Sequence, residues 1–115
     1  MHYNLEQRTA KSMENKRHLD WMCIDIEKIA ETDTDADYRF SCDVREPDPE
    51  SRKNRWKIVG QNQGFFRISK ATGEVTLIAA MPEDEDNRRY LRAAARIIRH
   101  WQKQELPDKT MFACG

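Results

Sequence analysis

The chain has 115 residues, of which 38% are hydrophobic and 35% charged, a balance that predicts one small domain with a thin, patterned core rather than two domains or a disordered segment. Its longest apolar runs, such as EVTLIAAMP, fall far below the roughly 20 residues needed to cross a bilayer, and the first twenty residues lack the apolar stretch of a secretory signal, so the expectation is no membrane and a cytoplasmic protein. The net charge of zero hides a split: residues 1–50 carry 13 acidic and 7 basic side chains, residues 51–115 carry 7 and 13, an asymmetry that bears on partners rather than on fold.

In chain order, residues 1–18 scatter Leu5, Ala10 and Met13 among polar residues and predict an N-terminal arm or short helix. Residues 19–81 predict an antiparallel meander. In MCIDIEKI, Met22, Ile24 and Ile26 alternate with Cys23, Asp25 and Glu27, the period of a half-buried strand. The acidic run ETDTDAD follows as a loop, and YRFSCDVRE alternates again, with Tyr38, Phe40, Cys42 and Val44 on one face. Pro47 and Pro49 cannot donate to a ladder, so PDPESRKN is a loop. RWKIVG begins a third strand, GQNQG is a tight connection or a bulge, and GFFRIS and EVTLIAAM form a hairpin across KATG.

Residues 84–104 predict a helix, with acids at its start and Arg, His and Lys in its later turns, as the helix dipole favours. Tyr90, Leu91, Ala94, Ile97, Ile98 and Trp101 recur at spacings of three and four as a core stripe. Asp84 with Arg88 and Glu85 with Arg89 are spaced as i,i+4 pairs. Residues 105–115 are a tail that docks through Met111 and Phe112. The fold class is therefore α+β: an antiparallel sheet of about four strands with the C-terminal helix on one face.

Chemical motifs are sparse. Asp33, Asp35 and Asp37 open like an EF-hand loop, but Tyr38 stands where the turn glycine belongs and Val44 where the bidentate Glu belongs, which argues against calcium. Acid catalysis needs a carboxyl in an apolar pocket, whereas these lie in a polar loop. His2, His18 and His100 lie in unrelated contexts, and no nucleophile, phosphate-loop or zinc-protease signature occurs. Cys23, Cys42 and Cys114 are odd in number and lack CxxC spacing, which predicts reduced thiols and no structural zinc. The reading is of a protein with no catalytic, cofactor or metal residues.

WKIVG, GFFRISKATGEV, the Met-Pro-acidic helix start, AAARIIRHW and the closing LPDKTMFAC together resemble, over residues 56–115, the C-terminal half of bacterial immunity proteins from contact-dependent inhibition and polymorphic toxin systems. The resemblance implies a cytoplasmic binder that neutralises one cognate toxin domain, commonly a nuclease, without catalysing anything. Residues 19–50 fit such a role, since they carry 11 acids and 3 bases and a nuclease that grips phosphates presents positive charge. The candidate toxin-facing residues are Glu31, Asp33, Asp35 and Asp37 with outward-facing Asp25 and Glu27, followed by Glu46, Asp48 and Glu50 of the proline-containing loop. In a meander the two loops leave the sheet at opposite ends. The alternative is a small nucleic-acid-binding regulator, with Arg88, Arg92, Arg96, Arg99 and Lys103 of the helix following a phosphate backbone.

Overall fold

The computed structural model describes residues 18–19, 23–50 and 55–112; except for His18, the arm expected over residues 1–18 lies outside them. The strands are β1 (His18–Leu19), β2 (Ile24–Glu31), β3 (Asp35–Pro47), β4 (Trp56–Ser69), β5 (Val75–Ala79) and β6 (Lys109–Phe112), with a 3₁₀ turn at Glu85–Asn87 and one α-helix, α1 (Arg88–Gln102). Five strands stand in the spatial order β5-β4-β3-β2-β6, and the two-residue β1 pairs with β3 off that path. Every pairing is antiparallel. The α+β architecture with a C-terminal helix against the sheet is as expected, but the sheet has more than four strands, because part of the expected tail is β6.

The alternation in β3 builds the core. Ala36, Tyr38, Phe40, Cys42 and Val44 are buried, while every residue between them keeps partial contact with solvent. Ile24 and Ile26 of β2 and Phe66 and Ile68 of β4 join them from the neighbouring strands, and Ala93 and Ile97 of α1 close the layer from above. Phe66 lies 5.7 Å from Tyr38 and 5.8 Å from Phe40 between ring centroids, and Tyr90 lies 6.0 Å from both Phe40 and Phe66, separations typical of favourable aromatic packing. The Phe40 ring sits over Gly64, where an added Cβ would stand 2.5 Å from Phe40 Cζ and 2.8 Å from the Ala79 carbonyl oxygen. Only glycine leaves room for that ring.

GQNQG does not interrupt its strand. β4 runs unbroken through it and absorbs one extra residue, since Val44 pairs with Gly60 and Arg45 with Ile58, leaving Val59 as a bulge. The KATG hairpin forms as expected, with Gly73 at φ 75° packed under the Trp101 ring; an L side chain there would be strained by the backbone and blocked by the indole.

The helix begins later than residue 84, and this overturns the expected i,i+4 pairs. Asp84 precedes it with a buried carboxylate that accepts from the backbone N–H groups of Arg89 (2.9 Å) and Tyr90 (3.1 Å) and lies 3.6 Å from the Arg89 guanidinium. It satisfies donors that the first turn leaves unpaired. Arg88 instead stands 4.0 Å from Asp86. The core stripe also shifts: Leu91 is 58% exposed, whereas Ala93 is fully buried, because close approach of helix to sheet is made over the small side chain.

Cys42 is a buried thiol, but Cys23 is disulfide-bonded, contrary to the expectation of three reduced cysteines. Its partner lies outside the described residues. No helix among the described residues is long and apolar enough to cross a membrane.

Tyr38 ties β3 to the segment leading into β6, its hydroxyl donating to the Pro107 carbonyl at 2.7 Å. Burial, with Glu31 and Asp108 nearby, pushes its phenol well above its ordinary value of 10.0. A raised folded pKa contributes stability that is fully present below the unfolded value and is lost as pH rises above it. Spectrophotometric titration is expected to show Tyr38 ionising only together with alkaline unfolding, and Tyr38→Phe to remove about 1 kcal/mol at neutral pH while raising the alkaline midpoint.

Candidate partner-binding surface

The face of the sheet away from α1 carries the residues that alternate with the core. Register decides which of them meet. Glu27 lies directly opposite Arg39 on β3 and Lys109 on β6, and Asp37 lies opposite Arg67 on β4. The Glu27 carboxylate accepts from the Arg39 guanidinium and stands 3.8 Å from Lys109 Nζ. Asp37 takes a two-pronged bond from Arg67, at 2.7 and 3.1 Å. Asp43 accepts from Gln61 Nε2 at 3.0 Å and lies 4.0 Å from Arg45. Asp25, Glu27, Arg39, Ser41, Gln63 and Met111 help line a shallow depression of about 750 Å³ on this face.

Four carboxylates of ETDTDAD therefore have three different settings. Glu31 is opposite Ala36, on the helix side, where it pairs with Lys70 at 2.7 Å and Lys28 at 2.9 Å. Asp33 occupies the tip of a tight turn closed by Thr32 N–H to the Asp35 carbonyl at 2.8 Å and Asp35 N–H to Thr32 Oγ1 at 3.1 Å. It is exposed. Asp35 and Asp37 are residues of β3 on the open face, Asp35 accepting from Thr34 Oγ1 at 2.8 Å. The stretch is a hairpin turn, and among the described residues no group of three or more His, Cys, Asp or Glu side chains is placed to hold a metal ion.

Three connections meet at this end of the sheet: the β2–β3 turn, the β4–β5 turn, joined to it by Lys70 N–H to the Thr34 carbonyl at 2.8 Å, and the segment between α1 and β6. Lys28 bridges to the last of these, reaching the Leu106 carbonyl at 3.0 Å and Asp108 at 3.6 Å. Glu31, Asp33, Asp35, Glu74, Glu105 and Asp108 lie in these connections or at the strand ends beside them, against Lys28, Lys70 and Lys103. Glu74, Glu105 and Asp108 are far in sequence from ETDTDAD, and the pairing of β6 with β2, with the Tyr38 and Lys28 bonds to residues 107 and 106, brings the last two here. A depression of about 590 Å³ between Glu31, Lys70, Trp101, Glu105 and Leu106 opens at the same end.

Glu46, Asp48 and Glu50 stand at the far end of β3, roughly 40 Å away at 3.4 Å per residue. Glu46 is opposite Lys57, and Asp48 Oδ1 accepts from the Glu50 N–H at 3.1 Å. The structure thus separates the two acidic loops as a meander requires. On α1, the arginine ridge leans over β6: the Arg92 guanidinium lies 5.9 Å from the Phe112 ring centroid and Arg96 Nε lies 3.5 Å from Thr110 Oγ1. Arg88, Arg99 and Lys103 are exposed.

No protein-family model, no curated protein and no solved structure matches the chain.

Lys70 first, and then Lys28, hold the Glu31 carboxyl down at about 2, against an ordinary 4.5. A lowered folded pKa contributes stability above the unfolded value that disappears as pH falls through the folded one, here between about 4.5 and about 2. NMR titration of the Glu31 side chain is expected to show ionisation persisting to about pH 2, with Lys70→Gln raising the midpoint more than Lys28→Gln.

Proposed function

We propose that this chain is an immunity-type binding protein that neutralises a cognate toxin domain, a nuclease with a basic surface, by occupying it rather than by catalysis. The observation that carries the reading is the acidic end of the sheet, where three sequence-distant turns and the strand ends beside them bring together six carboxylates against three lysines. Such a surface steers a cationic partner and raises its association rate. Within it the side chains are unequal. Asp37 is neutralised by Arg67, Glu31 by two lysines and Asp108 in part by Lys28, so the field that reaches outward comes chiefly from Asp33, Asp35, Glu74 and Glu105.

An immunity gene lies beside the gene of its toxin, and a pull-down with the C-terminal domain of that neighbouring toxin tests the reading. Capture and loss of toxin activity are expected; failure of both would sink it. In stopped-flow mixing with that domain, Asp33→Asn with Asp35→Asn should slow association several-fold at low salt and much less near 1 M salt, where the screening length falls to about 3 Å. Asp37→Asn should have a smaller effect on the rate.

The cytoplasmic placement belonging to this reading is tested at Cys23. Disulfides persist in oxidising compartments and are rare in the cytosol. Alkylation of protein in intact cells, followed by mass analysis, should find the Cys23 thiol blocked if the chain resides in cytosol, and the disulfide intact if it resides outside it.

A further inference from the structure

The last strand of the sheet, β6, offers an outer edge with no strand on it among the described residues. Its hydrogen-bonding direction follows from one contact. Lys28 N–H donates to the Asp108 carbonyl at 2.8 Å, so residues 28 and 108 form a hydrogen-bonded pair, and antiparallel alternation makes Ile26 with Thr110 and Ile24 with Phe112 the next such pairs. Lys109 and Met111 therefore turn their N–H and C=O groups away from β2, toward solvent.

That edge is flanked by cations. α1 carries five arginines and no acid, and the Arg92–Phe112 and Arg96–Thr110 contacts place its basic flank along the helix side of β6. Arg99 and Lys103 extend the stripe at spacings of three and four. On the open side, the Lys109 side chain is 78% exposed and Met111 is 45% exposed. Asp25, opposite Met111, and Glu27, opposite Lys109 and 3.8 Å from its Nζ, put two carboxylates on that side, so charge on the two sides differs.

We infer that the outer edge of β6 is a docking site for an extended acidic peptide segment of a partner protein, which adds to the sheet as a further antiparallel strand. Alternate residues of such a strand face opposite sides. Those facing α1 meet arginine and are acidic; those facing the open side meet Met111 and are apolar. Main-chain bonds to Lys109 and Met111 supply the pairing, as in other cases of strand addition to a sheet edge. A nucleic-acid backbone satisfies half of this arrangement, since phosphates have no donors for the outward carbonyls of Lys109 and Met111. The site adjoins the acidic end of the sheet at Asp108 and Lys103 but uses the outer edge of β6 and the basic flank of α1, and it does not rest on the toxin reading.

The test is fluorescence anisotropy of a labelled alternating Glu-Val peptide titrated with the whole chain, alongside the same peptide N-methylated on alternate residues and a labelled DNA duplex. The unmodified peptide should bind, and N-methylation should weaken it at least tenfold. Arg96→Glu with Arg99→Glu should weaken it at least as much. Met111→Pro should also weaken it, because it deletes an outward donor and leaves the bonds to β2 in place, with the fold checked by circular dichroism. N-methylation leaves the protein untouched and decides the matter even where the proline variant unfolds. Absence of peptide binding would overturn the inference. So would binding indifferent to N-methylation, or duplex binding that displaces the peptide with the same dependence on Arg96 and Arg99, which would assign the ridge to nucleic acid.

Discussion

The register of β3 is the constraint on which the rest of this molecule depends. Between Asp35 and Val44 its side chains go alternately to the core and to the open face, and it is paired along both edges. A slip of one residue would drive Asp37, Arg39 and Asp43 into the aromatic layer and expose Tyr38, Phe40 and Val44. Burying even one such charge without its partner costs several kcal/mol, so the competing registers are closed by chemistry as well as by packing. Gly64 reinforces the choice, because it must lie under Phe40 for that ring to fit.

The same register determines how much charge the surface presents. Cross-strand neighbours of opposite sign become ion pairs: Glu27 with Arg39 and Lys109, Asp37 with Arg67. These exposed pairs add little stability individually, but they cancel much of the negative charge that a linear reading assigns to residues 19–50. Much of what remains uncancelled lies at the turns, where Lys28 reaches Asp108 but no facing strand residue pairs with Asp33 or Glu74 among the described residues. Acidity at the end of the sheet thus follows from topology, and it includes Glu74, Glu105 and Asp108, which no local pattern connects to ETDTDAD.

Much of the fold is legible in the sequence where periodicity is long and uninterrupted. YRFSCDVRE reads as a strand because the eight residues from Tyr38 to Arg45 alternate, and AAARIIRHW reads as a helix because Ile97, Ile98 and Trp101 follow Ala94 at helical spacing. β6 is different: KTMF has too few residues for alternation to register, and its strand character comes from β2 across more than 80 residues of chain. Leu91 and Ala93 exchange their expected places because hydropathy favours the larger side chain, while close approach of helix to sheet favours the smaller. The disulfide at Cys23 is hidden by an odd cysteine count. At the candidate surface, the sequence exposes the acidic loop itself but not its division between two faces, since the bulge between Lys28 and Ala30 is what sends Glu31 to the helix side and leaves Asp35 and Asp37 on the other.

Zero net charge and two charged surfaces are compatible because electrostatic influence is short-ranged in salt. At about 0.1 M the screening length is about 10 Å, whereas β3 alone spans roughly 40 Å at the rise of an antiparallel strand. A macromolecule approaching the turns at the start of β3 senses Asp33, Asp35 and their neighbours and little of the far loop. One approaching β6 from the helix side senses Arg96 and Arg99. The total of twenty acidic and twenty basic residues therefore describes neither encounter. The distribution imposed by strand order does, and it allows a single small domain to meet partners of opposite charge at different places on one sheet.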